Sequence, residues 1–143
     1  MKGCVTFRVY PDGEQDNYYT AFIFKTKAAM AAFQVKTTEG VKWGSKYQDM
    51  DDSAYEAITY NWGAFPRGNE AGQVLFYTGS CNSRIVSHEF THAALYWVKA
   101  HGVKATHLYT RPGADERLAR TQGDMVGEFW AEYWQKKKRT DWL

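Results

Sequence analysis

The sequence predicts an α+β fold, a small and mostly antiparallel sheet packed by helices. Three observations carry this reading: two early segments patterned as strands, a third apolar run at 73–78 (QVLFYT), and two long helical periodicities at 84–100 and Ala114–Lys137. The 143 residues suffice for one hydrophobic core. No shift in composition, low-complexity tract or internal repeat divides them, so a single domain over 1–143 is expected.

In chain order, Val5, Phe7 and Val9 alternate with Thr6, Arg8 and Tyr10, the period of a half-buried strand. Pro11-Asp12-Gly13 then supplies turn chemistry. Tyr18–Phe24 is aromatic and β-branched, suited to a second strand paired with the first. Thr26 can cap a helix through Ala28, Met30 and Phe33. Residues 41–47 read as a strand broken by Gly44, and Ser53-Ala54-Tyr55-Glu56 has the form of a capping box opening a short helix at Ala57 and Ile58. Gly63, Pro66, Gly68 and Gly72 punctuate a loop before the buried strand at 73–78. Asn82 or Ser83 caps the helix at 84–100, Gly102 closes it, and the last helix covers Ala114–Lys137.

Composition excludes several classes. Hydrophobic residues make up 44% and charged residues 24%, proportions of a folded globular chain rather than a disordered one. Eighteen basic against sixteen acidic residues leave a net charge of +2, too small to require nucleic acid as a partner. The run Lys136, Lys137, Lys138, Arg139 complements the C-terminal dipole of a helix. Apolar stretches stop well short of the ~18 residues a membrane span needs. Arg8 interrupts what would be the apolar region of a secretory signal, so a cytoplasmic location is expected, with Cys4 and Cys81 as reduced thiols.

The chemistry resides in His88-Glu89-Phe90-Thr91-His92, an H-E-x-x-H sequence on the helix at 84–100. Two imidazoles four residues apart lie about 40° apart around a helix, close enough to share one metal ion. Zinc suits neutral imidazoles plus a carboxylate with a fourth position left to water. Glu89, turned about 100° from His88, is placed to act as general base rather than as a ligand. The plain alternative is a pair of ordinary helix histidines, one packed and one solvated.

A third ligand is needed. Leu95 and Val98 stand where a three-histidine pattern requires Gly and His, and His101 falls on the wrong side of the helix. Acidic residues of the last helix remain. Taking about 100° per residue, Glu116 shares a stripe with Arg120, Gly123, Gly127, Trp130 and Trp134, where the glycine pair would admit a close neighbouring helix. Leu118, Met125, Val126, Phe129 and Tyr133 form the core stripe, while Arg117, Thr121, Asp124, Glu128, Glu132 and Gln135 form a solvated face. Glu116 is therefore the expected third ligand with Asp115 in reserve. Its alternative role is that of a first-turn carboxylate favouring the helix dipole.

Ser87-His88-Glu89-Phe90-Thr91-His92-Ala93-Ala94, followed by Asp115-Glu116-Arg117-Leu118-Ala119, resembles the gluzincin-type small cytoplasmic metallopeptidases, especially the ImmA/IrrE-like group, over about residues 70–135. The resemblance implies a zincin-like fold, zinc at His88, His92 and Glu116, catalysis by Glu89, and hydrolysis of a protein or peptide substrate. It also implies that 73–78 is an edge strand on which substrate lies extended, through Val74, Leu75, Phe76 and Tyr77. An oxyanion donor is wanted beside the metal. His107 and Tyr109 are the candidates, with Tyr96 and Arg120 behind them. Cys81 reads as a buried structural thiol. The rival function is a non-catalytic zinc-containing binding protein on a metallopeptidase frame. The sequence specifies no oligomeric state.

Overall fold

In the computed structural model, residues 2–38, 56–62 and 67–143 are described. The strand expected at 41–47, Ser53 to Tyr55 of the expected capping box, and Gly63 and Pro66 of the expected loop lie outside them. The elements run β1 (Cys4–Val9), β2 (Tyr18–Phe24), α1 (Lys27–Thr38), β3 (Ala57–Asn61), β4 (Glu70–Tyr77), α2 (Ser83–Ala100), the one-turn α3 (His107–Thr110) and α4 (Ala114–Lys137). Both long helices and the first two strands stand where the sequence puts them.

The four strands lie in the order β1-β2-β4-β3. β1 pairs antiparallel with β2, from Cys4 opposite Phe24 to Val9 opposite Tyr19, and β3 pairs antiparallel with β4. β2 and β4 are parallel, Ala21 facing Val74 and Phe22 facing Leu75. The sheet is therefore mixed rather than mostly antiparallel. After β2 the chain crosses through α1 and returns by way of β3, so β4 enters the centre in the same direction as β2.

That central place explains why Val74, Leu75 and Phe76 are all fully buried: α1 covers one face of the sheet, α2 and α4 the other. Alternate residues divide between two cores. Phe7, Val9, Ala21, Ile23, Val74 and Phe76 meet α2 and α4. Phe22, Phe24, Ile58, Tyr60 and Leu75 meet Met30, with Phe33 packed alongside. Phe129 of α4 sits among Phe7, Phe76 and Phe90, ring centroids 5.4, 5.1 and 5.7 Å away. Burying a ring of this size contributes about 1.5–3 kcal/mol.

Ala57 and Ile58 begin a strand, not the helix expected from the S-x-x-E spelling. Ile58, Thr59 and Tyr60 are β-branched or aromatic, and the alternation of Ile58 and Tyr60 against Ala57 and Thr59 matches a sheet with both faces covered. Gly72 belongs to β4 rather than to the preceding loop. A Cβ there would collide with the backbone oxygen of Tyr60 and the ring of Tyr19, which is why the strand carries glycine at that point.

The connection from β1 to β2 is pinned to α4. Asp12 adopts φ 48°, a conformation few side chains tolerate, and its carboxylate takes Arg117 Nε at 3.2 Å and Arg120 Nε at 3.3 Å. Cys4 and Cys81 are free, half-buried thiols. Among the described residues, no helix is long and apolar enough to cross a membrane.

Candidate metal centre

Asn82 caps α2 through its side-chain oxygen, which accepts the Ile85 N–H at 3.0 Å. From that fixed start the helix directs Ile85, Val86, Glu89, Phe90, Ala93, Ala94, Trp97 and Val98 inward. His88 and His92 fall on the opposite, solvent face, and both are exposed. Their Nε2 atoms are 3.1 Å apart, with the rings nearly perpendicular at 79°. Two nitrogens each ~2.0–2.1 Å from one tetrahedral ion would stand about 3.3 Å apart, so the separation suits two positions of a zinc shell. Without an ion the same approach is a hydrogen bond from the Nε2–H of one ring to the bare Nε2 of the other.

Glu89 is 7% exposed and turned toward β3. Thr59 Oγ1 lies 2.6 Å from Glu89 Oε2 and 3.1 Å from the Glu89 main-chain oxygen. The single hydroxyl proton goes to the nearer, charged acceptor. A second link runs along the same side of β3: the Tyr19 hydroxyl lies 2.5 Å from Asn61 Oδ1 and 3.2 Å from the Ala93 oxygen. Burial holds that phenol well above its ordinary range, so it stays a donor. On the other flank, the Gln122 side-chain amide of α4 donates to the Ser87 oxygen at 3.4 Å. Thr59 and Gln122 were not anticipated as part of this region. The β-branched, aromatic run Ile58-Thr59-Tyr60 was the available signal for a strand there, whereas Gln122 carries none at sequence level.

Glu116 is exposed in the first turn of α4, as is Asp115. Among the described residues, no three His, Cys, Asp or Glu side chains are gathered as a metal-holding group, so neither carboxylate joins the imidazole pair in this structure. The close helix approach expected at Gly123 and Gly127 is absent: a Cβ at either position would meet nothing within 4 Å. Thr121, expected on the solvated face, is fully buried, and Glu128 accepts the Tyr10 N–H at 2.9 Å. The expected core stripe does hold, with Met125, Phe129 and Tyr133 buried and Leu118 and Val126 packed beside them.

The proposed substrate strand needs correction. β4 is paired on both sides, so Val74, Leu75, Phe76 and Tyr77 offer no free edge. The edge strand nearest Glu89 is β3. Of the oxyanion candidates, Tyr96 is exposed one helical turn beyond His92 on the same helix. Tyr109 is 95% exposed, and His107 Nδ1 accepts the Lys104 N–H at 3.1 Å within its own turn. Both belong to α3, whose Leu108 lines one groove with Leu95 and Tyr96 of α2. Arg120 is committed to Asp12.

Cys81 packs against the core with its Sγ donating to the Tyr77 oxygen at 3.5 Å, and burial pushes its thiol up to about 12. Cys4 is pushed up to about 11 by the same cause. Both are thiols rather than thiolates at neutral pH. Compared with known proteins, the chain matches no family model, no curated protein and no solved structure.

Proposed function

We propose that the chain is a zinc-dependent metallopeptidase whose ion is held by His88 and His92, with Glu116 as third ligand and Glu89 as general base. The single observation that carries this reading is the 3.1 Å convergence of two exposed imidazole nitrogens one residue from a buried carboxylate. The donor chemistry supports zinc: two neutral nitrogens and a carboxylate are the ligand set of hydrolytic sites that keep one position open. The contact between Gln122 and Ser87 brings α4 to the motif, while its first turn, which carries Glu116, meets α2 at His101 through Arg117.

Bound there, zinc supplies Lewis acidity toward a water and a peptide carbonyl. The chain's own residues do the rest. Glu89 Oε2 is fixed by Thr59, and Oε1 has no partner among the described residues, which leaves one oxygen to take a proton from water and deliver it to the leaving amine. Among the described residues β3 is an edge strand and touches Glu89 through Thr59, and it is the strand proposed to receive an extended protein or peptide substrate.

Elemental analysis of the purified chain is the test. One zinc per chain, lost in His88→Ala and weakened at least tenfold in Glu116→Ala, is the expected result. A metal-free protein that takes up no zinc on dialysis would end the proposal. The exposure of Glu116 favours one rival, a zinc-containing binding protein without turnover. That reading predicts bound zinc together with no cleavage of any peptide library.

A further inference from the structure

The solvent face of α2 does not end at the imidazoles. His88, His92, Leu95, Tyr96 and Lys99 follow one another along it at helical spacing, and all five are exposed. Leu95 and Tyr96 are 37% and 54% exposed, unusual for large apolar side chains on a helix whose other large apolar residues are buried. Val103, from the turn beyond the helix, and Leu108 of α3 close this end into an apolar groove of about 220 Å³. Lys99 and Lys104 also line the groove, and among the described residues no acidic one does.

We propose that this groove binds a peptide, accepting one large apolar side chain, with acidic residues of the same peptide meeting Lys99 and Lys104. The inference deepens the peptidase reading and rests on it for the direction in which the peptide runs. Size fixes the occupant as a side chain: whole small molecules take cavities of ~300–1,000 Å³. Charge fixes the neighbours, because two lysines with no acidic residue beside them among the described residues lining the groove favour carboxylates over basic residues. Spacing fixes the distance from the imidazoles. Leu95 to Lys99 lie three to seven residues beyond His92, ~4.5–10 Å along the helix at 1.5 Å per residue. An extended peptide advances ~3.3 Å per residue, which puts the apolar side chain about one to three residues from the peptide group above the imidazoles.

The test uses metal-free full-length protein, so that binding is read apart from hydrolysis. Methyl NMR follows a titration with an acetylated hexapeptide containing one leucine followed by two glutamates. Expected are shifts at Leu95, Val103 and Leu108, and affinity at least tenfold weaker when the peptide leucine is replaced by serine or its glutamates by lysines. Lys99→Glu with Lys104→Glu, both at exposed positions, should invert the charge preference so that the lysine peptide binds better. Shifts located elsewhere, or affinities indifferent to either peptide change, would overturn the groove. If the groove binds as stated while the zinc-loaded protein cleaves nothing, the groove stands and the hydrolase reading fails. Cleavage of peptides regardless of apolar and acidic residues would keep the hydrolase and reject the groove.

Discussion

Thr59 Oγ1 lies 2.6 Å from Glu89 Oε2, a bond that joins the edge strand to the helix bearing both imidazoles. A buried carboxylate needs such a donor, because leaving one unsatisfied costs the desolvation of a charged group. The contact fixes one carboxylate oxygen and holds β3 against α2 at the point where the motif begins.

Thr59→Val should therefore destabilise the fold by about 1–3 kcal/mol, since the methyl replaces the donor at similar volume and strands the Glu89 carboxylate. Thr59→Ser should recover most of the loss. Urea unfolding of the three proteins checks both statements, and equal midpoints for threonine and valine would show that the bond contributes nothing.

For the proposed reaction, Glu89→Gln should keep zinc at the wild-type stoichiometry and reduce kcat by two to four orders of magnitude, the typical worth of a general base. His92→Ala should lose metal and turnover together. Cleavage assays paired with metal analysis on each variant separate the roles, and wild-type turnover in Glu89→Gln would defeat this mechanism.

Glycine positions give opposite expectations. Gly72→Ala drives a Cβ into the Tyr60 backbone and the Tyr19 ring, and should cost about 3 kcal/mol or more. Gly123→Ala and Gly127→Ala meet open space in α4 and should each stabilise by ~0.5–1 kcal/mol through helix propensity. Thermal unfolding reads the sign directly. Destabilisation at Gly123 or Gly127 would restore the close contact that the structure lacks.

Glu128 gives a pH dependence. Partial burial raises its carboxyl pKa, the Tyr10 N–H opposes that, and the like charges of Asp124 and Glu132 add to the rise. The folded pKa thus exceeds the unfolded one, so between the two values the folded state binds more protons and stability falls as pH rises. Glu128→Gln keeps an acceptor for Tyr10 and removes the charge. It should be neutral below the unfolded glutamate pKa and stabilising at pH 7, by well under ~1 kcal/mol once solvent screening is counted. Melting curves at pH 4 and pH 7 should therefore diverge only at the higher pH.

What the sequence determined by itself was local. Alternation in Val5, Phe7 and Val9, the cap at Asn82 and the periodicity of Ala114–Lys137 each follow from neighbouring residues alone, and so does the approach of two imidazoles one helical turn apart. Tertiary structure decided what depends on partners distant in sequence. Ala57–Asn61 became a strand because β4 offered it a ladder, and QVLFYT became central because β2 lay parallel on its other side. For α4, local phase found the core stripe of Met125, Phe129 and Tyr133, but what its other stripes meet was out of local reach. Helical phase groups residues into stripes, but the partners that distant segments bring decide what each stripe meets: open space at Gly123 and Gly127, the core at Thr121 and the Tyr10 N–H at Glu128.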